Sequence, residues 1–334
     1  MRRTSFLLLA PAAFLVARRA RAQDDVDPAS SAARQALRVL LGQGNAQPSA
    51  GQTFSFDGKL YRGTFERTAD GQIVDLVDLE GYLYSVVPRE MPSSWPVAAL
   101  EAQSICARTY VLQRSDPRRA YDLVPSEVDQ RYDGLSAETP AAVAAVDATA
   151  GSVLSFAGAF AQIAYSSCCG GHTESAFDAW GSSAPPYLSG VTCTSCVDSP
   201  NYRWQRSLAF DAIGSRLSGS LATLGNLNDV RIAERDGSGR ARTIELLTDR
   251  GSTVVAGSAF RRAVGSRVLP SLLLTDVQRA PDGSGILFTG GGLGHGVGFC
   301  QWGARGMALM GRQPAEVLAF YFPGTDIQNL AQHR

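Results

Sequence analysis

Apolar and polar residues alternate from Phe54 to Val77, and the alternation breaks at Asp57-Gly58 and again at Asp70-Gly71. Period two marks half-buried strands, and Asp-Gly suits the left-handed backbone of a tight turn, so hairpins are expected here. A first strand is expected from Gln35 to Leu41, where the chain turns apolar. The rhythm then lengthens: Val97, Leu100, Ala107 and Val111 fall near one face of a helix. That helix is expected to open at Ser94, whose hydroxyl can cap it, with Pro96 in the first turn and Glu101 early. It should run to about Gln113, ahead of Asp116-Pro117. A second helix is expected from Ala141 to Ala148, then strand from Ser152 to Tyr165. From Leu221 to Phe288, strands are expected, separated by Asp236-Gly237-Ser238-Gly239 and Asp282-Gly283-Ser284-Gly285. Helices close the pattern at Ala304 to Met310 and Ala315 to Phe320. No internal repeat is evident, and the mixture predicts the α+β class.

The amino terminus follows a different order. Arg2 and Arg3 precede an apolar run, Phe6 to Ala17, and then Ala20-Arg21-Ala22. A basic start, a short apolar stretch and a small-residue cleavage site predict a cleaved export signal over residues 1–22. The paired arginines leave both the general and the twin-arginine export routes open. The run falls short of the roughly 20 residues that cross a bilayer, and no later run is longer. The mature protein is therefore expected without a transmembrane segment, in the periplasm, the envelope or outside the cell. Residues 23–35 read as a flexible lead-in, and residues 36–330 as one domain.

Composition narrows the function classes. The chain has 334 residues, 45% hydrophobic and 19% charged, which suits a globular protein. Its formal charge is zero, but residues 1–22 hold five arginines and no acid, leaving 26 basic residues against 31 acidic ones. A mildly acidic body argues against a general nucleic-acid binder, whose affinity comes from neutralising phosphates. The chain lacks H-E-x-x-H, G-x-x-x-x-G-K and G-x-S-x-G patterns. Glycines at 290, 292, 294, 296 and 298 recur with period two, which fails the G-x-G-x-x-G dinucleotide spacing. Period two instead predicts a strand with one bare face, able to take another backbone or a sugar ring at close range.

Three ordered segments carry a resemblance. The first comprises Gly81-Tyr82-Leu83, Val86 to Pro92 with Glu90-Met91-Pro92, Ala102-Gln103 and Ala107 to Tyr110. The second runs from Ser166 to Gly171, through Thr173-Glu174-Ser175 and Trp180-Gly181, to Ser199-Pro200 and Trp204. The third is Gly294-His295-Gly296-Val297-Gly298 with Gln301-Trp302-Gly303-Ala304. From about residue 36 onward the chain resembles the family of stage II sporulation protein D and the amidase enhancer LytB. The resemblance implies a lytic transglycosylase that cuts peptidoglycan between N-acetylmuramic acid and N-acetylglucosamine, preferring strands stripped of stem peptides. It puts the catalytic glutamate on Glu90 and a cleft arginine on Arg108. Tyr165, Ser166, Ser167, His172, His295, Gln301 and Trp302 join Arg108 as substrate-binding candidates. Alternatives stay open for several. Arg108 can anchor a loop, Trp302 can be core, and His295 can be framework. The rival reading is a non-catalytic envelope module that binds glycan and stimulates a partner amidase.

One glutamate suffices for this chemistry. Glycosidases commonly need two carboxyls, but here the muramic acid's own 6-hydroxyl can attack, so one carboxyl first gives a proton and then takes one. Glu90 would have to hold its proton near neutral pH, which calls for dry surroundings, and Val86, Val87, Met91 and Trp95 are apolar neighbours in sequence. Arg89 or Arg108 close by would work against that.

There are six cysteines: Cys106, Cys168, Cys169, Cys193, Cys196 and Cys300. In an exported protein one or two disulfides are the default, with Cys169–Cys196 the first choice. Cys193-Thr194-Ser195-Cys196 also has metal spacing, so a zinc set of Cys169, His172, Cys193 and Cys196 is the alternative. Zinc-binding members of the resembled family use a His/Cys set just before a Gln-x-Tyr-x-Gly turn. The corresponding Ser126 to Asp129, before Gln130 to Gly134, holds neither residue type. No cofactor is the leading expectation, and Cys106 and Cys300 read as free, buried thiols.

Overall fold

The computed structural model describes residues 36–181, 184–221 and 225–332; the expected export signal and lead-in lie outside them. The chain groups into two compact units. The first holds residues 36–164 and 304–332, and the second holds Tyr165–Gly303, so one unit is inserted into the sequence of the other. The fold is α+β.

In the first unit, β1 (Leu37–Gln43), β2 (Ala46–Pro48), β3 (Thr53–Phe56), β4 (Lys59–Arg62), β5 (Thr64–Arg67) and β6 (Gln72–Val77) form two antiparallel sheets. Their orders are β1-β6-β5 and β2-β3-β4. Asp57 and Gly58, at φ 45° and 80°, turn β3 into β4, and Gly71 at φ 83° turns β5 into β6. Both Asp-Gly signals therefore close hairpins, because each turn needs a backbone that β-branched residues resist.

Helix α1 (Leu79–Glu90) follows at once. The sequence analysis does not expect it, since Gly81, the pair Val86-Val87 and Pro88 all weaken a helix. Tertiary burial of Tyr82, Leu83, Val86 and Val87 overrides that local cost. The missed signal is Asp78, whose carboxylate accepts the Gly81 N–H at 2.8 Å and caps the first turn. Helix α2 (Val97–Arg114) is the one expected from Ser94, but its N-cap is Pro96 and no side chain caps it. Helix α3 (Pro140–Ala148) starts on the Thr139 hydroxyl, and β7 (Ser152–Phe156) and β8 (Ala159–Phe160) follow. The three helices pack together, with α2 also against β7.

The second unit runs through β9 (Tyr165–Ser166), α4 (Ala176–Trp180), β10 (Trp204–Ala209), α5 (Phe210–Leu221), β11 (Leu227–Arg235), β12 (Ala241–Thr248), β13 (Gly251–Ala256) and α6 (Gly257–Val264). It ends with β14 (Leu273–Arg279), β15 (Gly285–Gly291) and β16 (Phe299–Cys300). Antiparallel sheets β11-β12-β13 and β10-β15-β14 accompany a short parallel pair, β16-β9. Their shared core includes Ile213, Val230, Ile244, Leu246, Phe260, Ile286 and Phe288. The expected all-strand stretch from Leu221 to Phe288 is thus interrupted by α6, an eight-residue helix whose buried Phe260 and Val264 lie one turn apart.

Helix α7 (Gln301–Leu309) carries the chain back, and α8 (Pro314–Tyr321) and β17 (Asp326–Asn329) complete the first unit, β17 pairing antiparallel with β7. No helix among the described residues is long and apolar enough to cross a membrane.

Candidate functional site

Glu90 is the last residue of α1 and is half-buried, while its neighbours Val86, Val87 and Met91 are enclosed in the core. The turn Gln130 to Gly134 stands beside it. The Arg131 N–H lies 3.4 Å from Glu90 Oε1, a long contact, and the Asp133 N–H donates to Ser85 Oγ on α1 at 3.1 Å. Gly134 sits at φ 72°, where an added Cβ would meet the Leu60 carbonyl oxygen at 2.3 Å, so the turn needs glycine. Arg89 reaches Asp133 Oδ2 at 2.7 Å, and the Arg305 guanidinium lies 5.8 Å from the Trp95 ring centroid.

The same turn touches a second carboxyl. Tyr132 donates its hydroxyl proton to Asp75 Oδ2 at 2.7 Å. Asp75 lies fully buried on β6, its Oδ1 lacks a hydrogen-bond partner, and burial pushes its pKa up to about 8 despite the tyrosine bond. Sequence reasoning passed over Asp75. The signal was an acid inside the apolar run Ile73-Val74-Asp75-Leu76-Val77.

Arg108 is corrected from a substrate contact to a framework residue. It is fully buried, and its Nε and Nη2 donate to the Glu80 carboxylate at 3.0 and 2.6 Å. Nη1 donates to the Ser152 carbonyl at 3.0 Å and Nη2 to that of Val146 at 3.3 Å. It therefore ties α2 to the start of α1, the end of α3 and β7. The physical reason is that a buried guanidinium must fill its fixed fork of donors.

The other candidates belong to the second unit. Tyr165 and Ser166 pair in register with Phe299 and Cys300, and the Trp302 N–H donates to the Ser167 carbonyl at 3.0 Å. Tyr165, Ser166, Ser167, Gln301 and Trp302 are therefore gathered on one short parallel pair and its continuation. His295 accepts the Val297 N–H on Nδ1 at 3.0 Å. Burial lowers its pKa to about 4, with Arg261 and Arg240 adding to the effect and a backbone bond at Tyr165 opposing it. A neutral ring held from the backbone is the framework alternative raised for this histidine. His172 turns Nδ1 to the Thr173 carbonyl at 2.6 Å.

The glycine segment is not a strand beyond Gly291. Gly292, Gly294, Gly296 and Gly298 have φ of 83°, 109°, 84° and 69°. Added Cβ atoms would strike the Cys168 carbonyl at 2.7 Å from Gly292, Ser166 Cβ at 2.7 Å from Gly294 and Arg240 Nη2 at 2.2 Å from Gly296. The bare face expected to receive a backbone or a sugar is filled by the protein itself. Nearby, Glu174 is buried with Oε1 on the Ser175 N–H at 2.7 Å and Oε2 on the Ser238 hydroxyl at 2.9 Å. Burial, opposed by Arg240, raises its pKa to about 7.

Two exposed aromatics are not among the site residues expected from the sequence. Phe177 and Trp180, 56% and 48% exposed, lie one turn apart on α4. The Trp180 ring centroid is 5.4 Å from that of His295. An aromatic pair at i, i+3 was the available signal.

The expected disulfide is also corrected. None of the six cysteines is in a disulfide, and the Cys169 and Cys196 sulfurs stand 3.6 Å apart, against about 2.05 Å for a bond. Four thiols crowd together there instead of pairing. Cys169, Cys193, Cys196 and Cys300 place their sulfurs within 4.8 Å of one another, so Cys300 occupies the place anticipated for His172.

Two family models match the chain, one segment in each unit. The family described as Stage II sporulation protein matches residues 68–156, and a domain of unknown function (DUF8618) matches residues 192–298. An uncharacterized protein of Brachyspira hyodysenteriae is 32% identical over 258 residues, covering 76% of this chain and 68% of that protein. Stage II sporulation protein D of Bacillus subtilis is 28% identical over 282 residues, 78% of this chain and 77% of that protein. The Bacillus subtilis amidase enhancer is 28% identical over 331 residues, 84% of this chain but only 45% of the enhancer's length. The chain belongs to the SpoIID/LytB family. In this SpoIID/LytB chain the segment matching Stage II sporulation protein holds Asp75, Glu90 and Arg108, all in the first unit. The other matched segment holds Cys193, Cys196 and His295, all in the second.

Proposed function

We propose that the protein acts on the bacterial cell wall as a peptidoglycan lytic transglycosylase, with Glu90 as its general acid and base. One observation carries the reading: a half-exposed carboxyl ends a helix whose inner face is solid core, beside a turn that needs glycine to come close. The guanidinium of Arg108, which could have locked that carboxyl as an anion, is held by Glu80 instead. The names of the Bacillus relatives support a cell-wall setting.

In this reading Glu90 gives its proton to the glycosidic oxygen as the bond to C1 of N-acetylmuramic acid breaks. The carboxylate then takes the proton of that sugar's 6-hydroxyl as the oxygen attacks C1. The products are a free N-acetylglucosamine hydroxyl and a 1,6-anhydro ring, with no water consumed and no cofactor needed. Exposed Phe177 and Trp180 offer apolar faces on which sugar rings can stack. Export through a signal in residues 1–22 belongs to the same reading.

The test is a digest of purified, peptide-free glycan strands read by mass spectrometry. The wild type should release fragments ending in 1,6-anhydromuramic acid, and Glu90→Gln should not. Strand binding without new ends in the wild type would leave the second reading, a glycan-binding partner of a cell-wall amidase, which the amidase-enhancer relative supports.

A further inference from the structure

We propose that the second unit binds a structural zinc ion through the thiolates of Cys169, Cys193, Cys196 and Cys300. The inference goes beyond the catalytic reading and is independent of it.

The donor set comes first. These four sulfurs all lie within 4.8 Å of one another and all are buried. Zinc holds thiolates tetrahedrally at about 2.3 Å, which sets neighbouring sulfurs about 3.8 Å apart. The Cys169–Cys196 separation of 3.6 Å falls at that spacing. Four sulfurs leave no position open for water or substrate, so the ion would be structural rather than catalytic. Cys168, next to Cys169 in sequence, brings its thiol to Cys196 and Cys300 but lies outside the set in which every sulfur is near every other.

The surroundings suit thiolates. The Cys169 N–H points at Cys300 Sγ at 3.2 Å and the Gly303 N–H at 3.4 Å, so two backbone donors face one sulfur. Such donors stabilise a metal-bound thiolate and orient it. Arg240, 3% exposed, donates to the Cys169 carbonyl at 2.8 Å and to that of His172 at 3.1 Å. A tetrathiolate around a divalent ion carries two net negative charges, and this buried guanidinium offsets part of that charge. The knuckle itself is built from the backbone. The Cys193 N–H donates to the Gly171 carbonyl at 2.9 Å, and the Ser199 N–H to that of Cys196 at 3.1 Å.

The fold gives such an ion a task. Strands β9 and β16 meet over only two residue pairs, and beside them the Cys168–Leu293 bridge and the Trp302 bond to Ser167 tie the same segments by backbone. Cys169 follows β9, Cys300 ends β16, and the knuckle lies between them in sequence. An ion at their convergence would clamp all three segments, and with them Ser166, Ser167, Gln301 and Trp302. Closing such long loops is where a metal clip helps most.

The experiment uses the full chain purified without chelator, with metal content read by mass spectrometry. About one zinc per chain is expected, released in step with about four thiols on titration with a mercurial. Cys300→Ser and Cys193→Ser should lower zinc content at least tenfold, whereas Cys106→Ser should leave it unchanged. Because the serine variants can fail to fold, the wild type is also exchanged with cobalt(II). Intense thiolate-to-cobalt charge-transfer bands with tetrahedral d–d bands are expected. The proposal is overturned by metal-free wild type with these cysteines in disulfides, by iron in place of zinc, by zinc retained in both serine variants, or by a cobalt spectrum without thiolate bands. None of these readouts depends on glycan cleavage.

Discussion

The two units handle buried polar groups in opposite ways. In the first, two acidic or basic side chains with no exposure, Arg108 and Asp75, meet partners on its helices, strands and one tight turn. Arg108 is filled by Glu80 and backbone carbonyls, whereas Asp75 takes the Tyr132 hydroxyl on Oδ2 and leaves Oδ1 without a hydrogen-bond partner. Its helices then present one half-exposed carboxyl at a helix end. The second unit ties loops and two-residue strands with polar clamps: His295 on the backbone, Glu174 with Ser238 and Arg240, and four converging thiols. A site on packed helices is held by burial, whereas a site on loops has to be held by specific bonds.

The largest expected effect tests whether the first unit carries the chemistry. Glu90→Gln should lower the yield of anhydro ends about 10³-fold, with the urea midpoint unchanged. Wild-type yield from that variant would remove the first unit from the reaction. Next, Arg108→Met should destabilise the protein by about 3 kcal/mol or more, because it leaves the Glu80 carboxylate without its buried partner. A change under about 1 kcal/mol in urea unfolding would show that the pair is not what holds α2 to its neighbours. In the second unit, Gly296→Ala puts a Cβ 2.2 Å from Arg240 Nη2 at φ 84° and should cost about 1–3 kcal/mol by the same measure.

The contrast also predicts two pH dependences of opposite sign. Folded Asp75 keeps its proton up to about pH 8, whereas the unfolded chain loses it near 3.8. Its contribution is therefore present at low pH and fades as pH rises across that window. Folded His295 stays neutral down to about pH 4, whereas the unfolded ring takes a proton near 6.5. Its contribution is present above that value and fades as pH falls. Relative to the wild type, the urea midpoint of Asp75→Asn should climb steadily from pH 4 to 8, and that of His295→Gln should climb as pH falls from 6.5 to 4. Unaltered profiles would mean that neither group is buried in the way described. The smallest effect is the mildest test of the second unit: Trp180→Ala should weaken glycan binding by about 1 kcal/mol, read by calorimetry.

Much of the first unit was legible. Asp57-Gly58 declared its hairpin because few residue pairs tolerate two left-handed positions. Helix α2 was visible in its apolar face, although its cap was not. Helix α1 was hidden because Gly81, Val86, Val87 and Pro88 speak against helix locally, and only burial of its inner face outweighs them. The glycine segment misled for a related reason: period two is strand spacing, but four positive φ values bend it around Cys168, Ser166 and Arg240.

By itself the sequence determined the hairpin turns, four of the eight α-helices described, the α+β class and the family resemblance. Each depends on neighbours in the chain or on ordered motifs. Only the tertiary structure decided that Arg108 is filled by Glu80, that Asp75 is buried, and that Cys300 rather than His172 joins the other three thiols. Those outcomes bring together residues far apart in sequence, and long-range packing, not local preference, decides which of them meet.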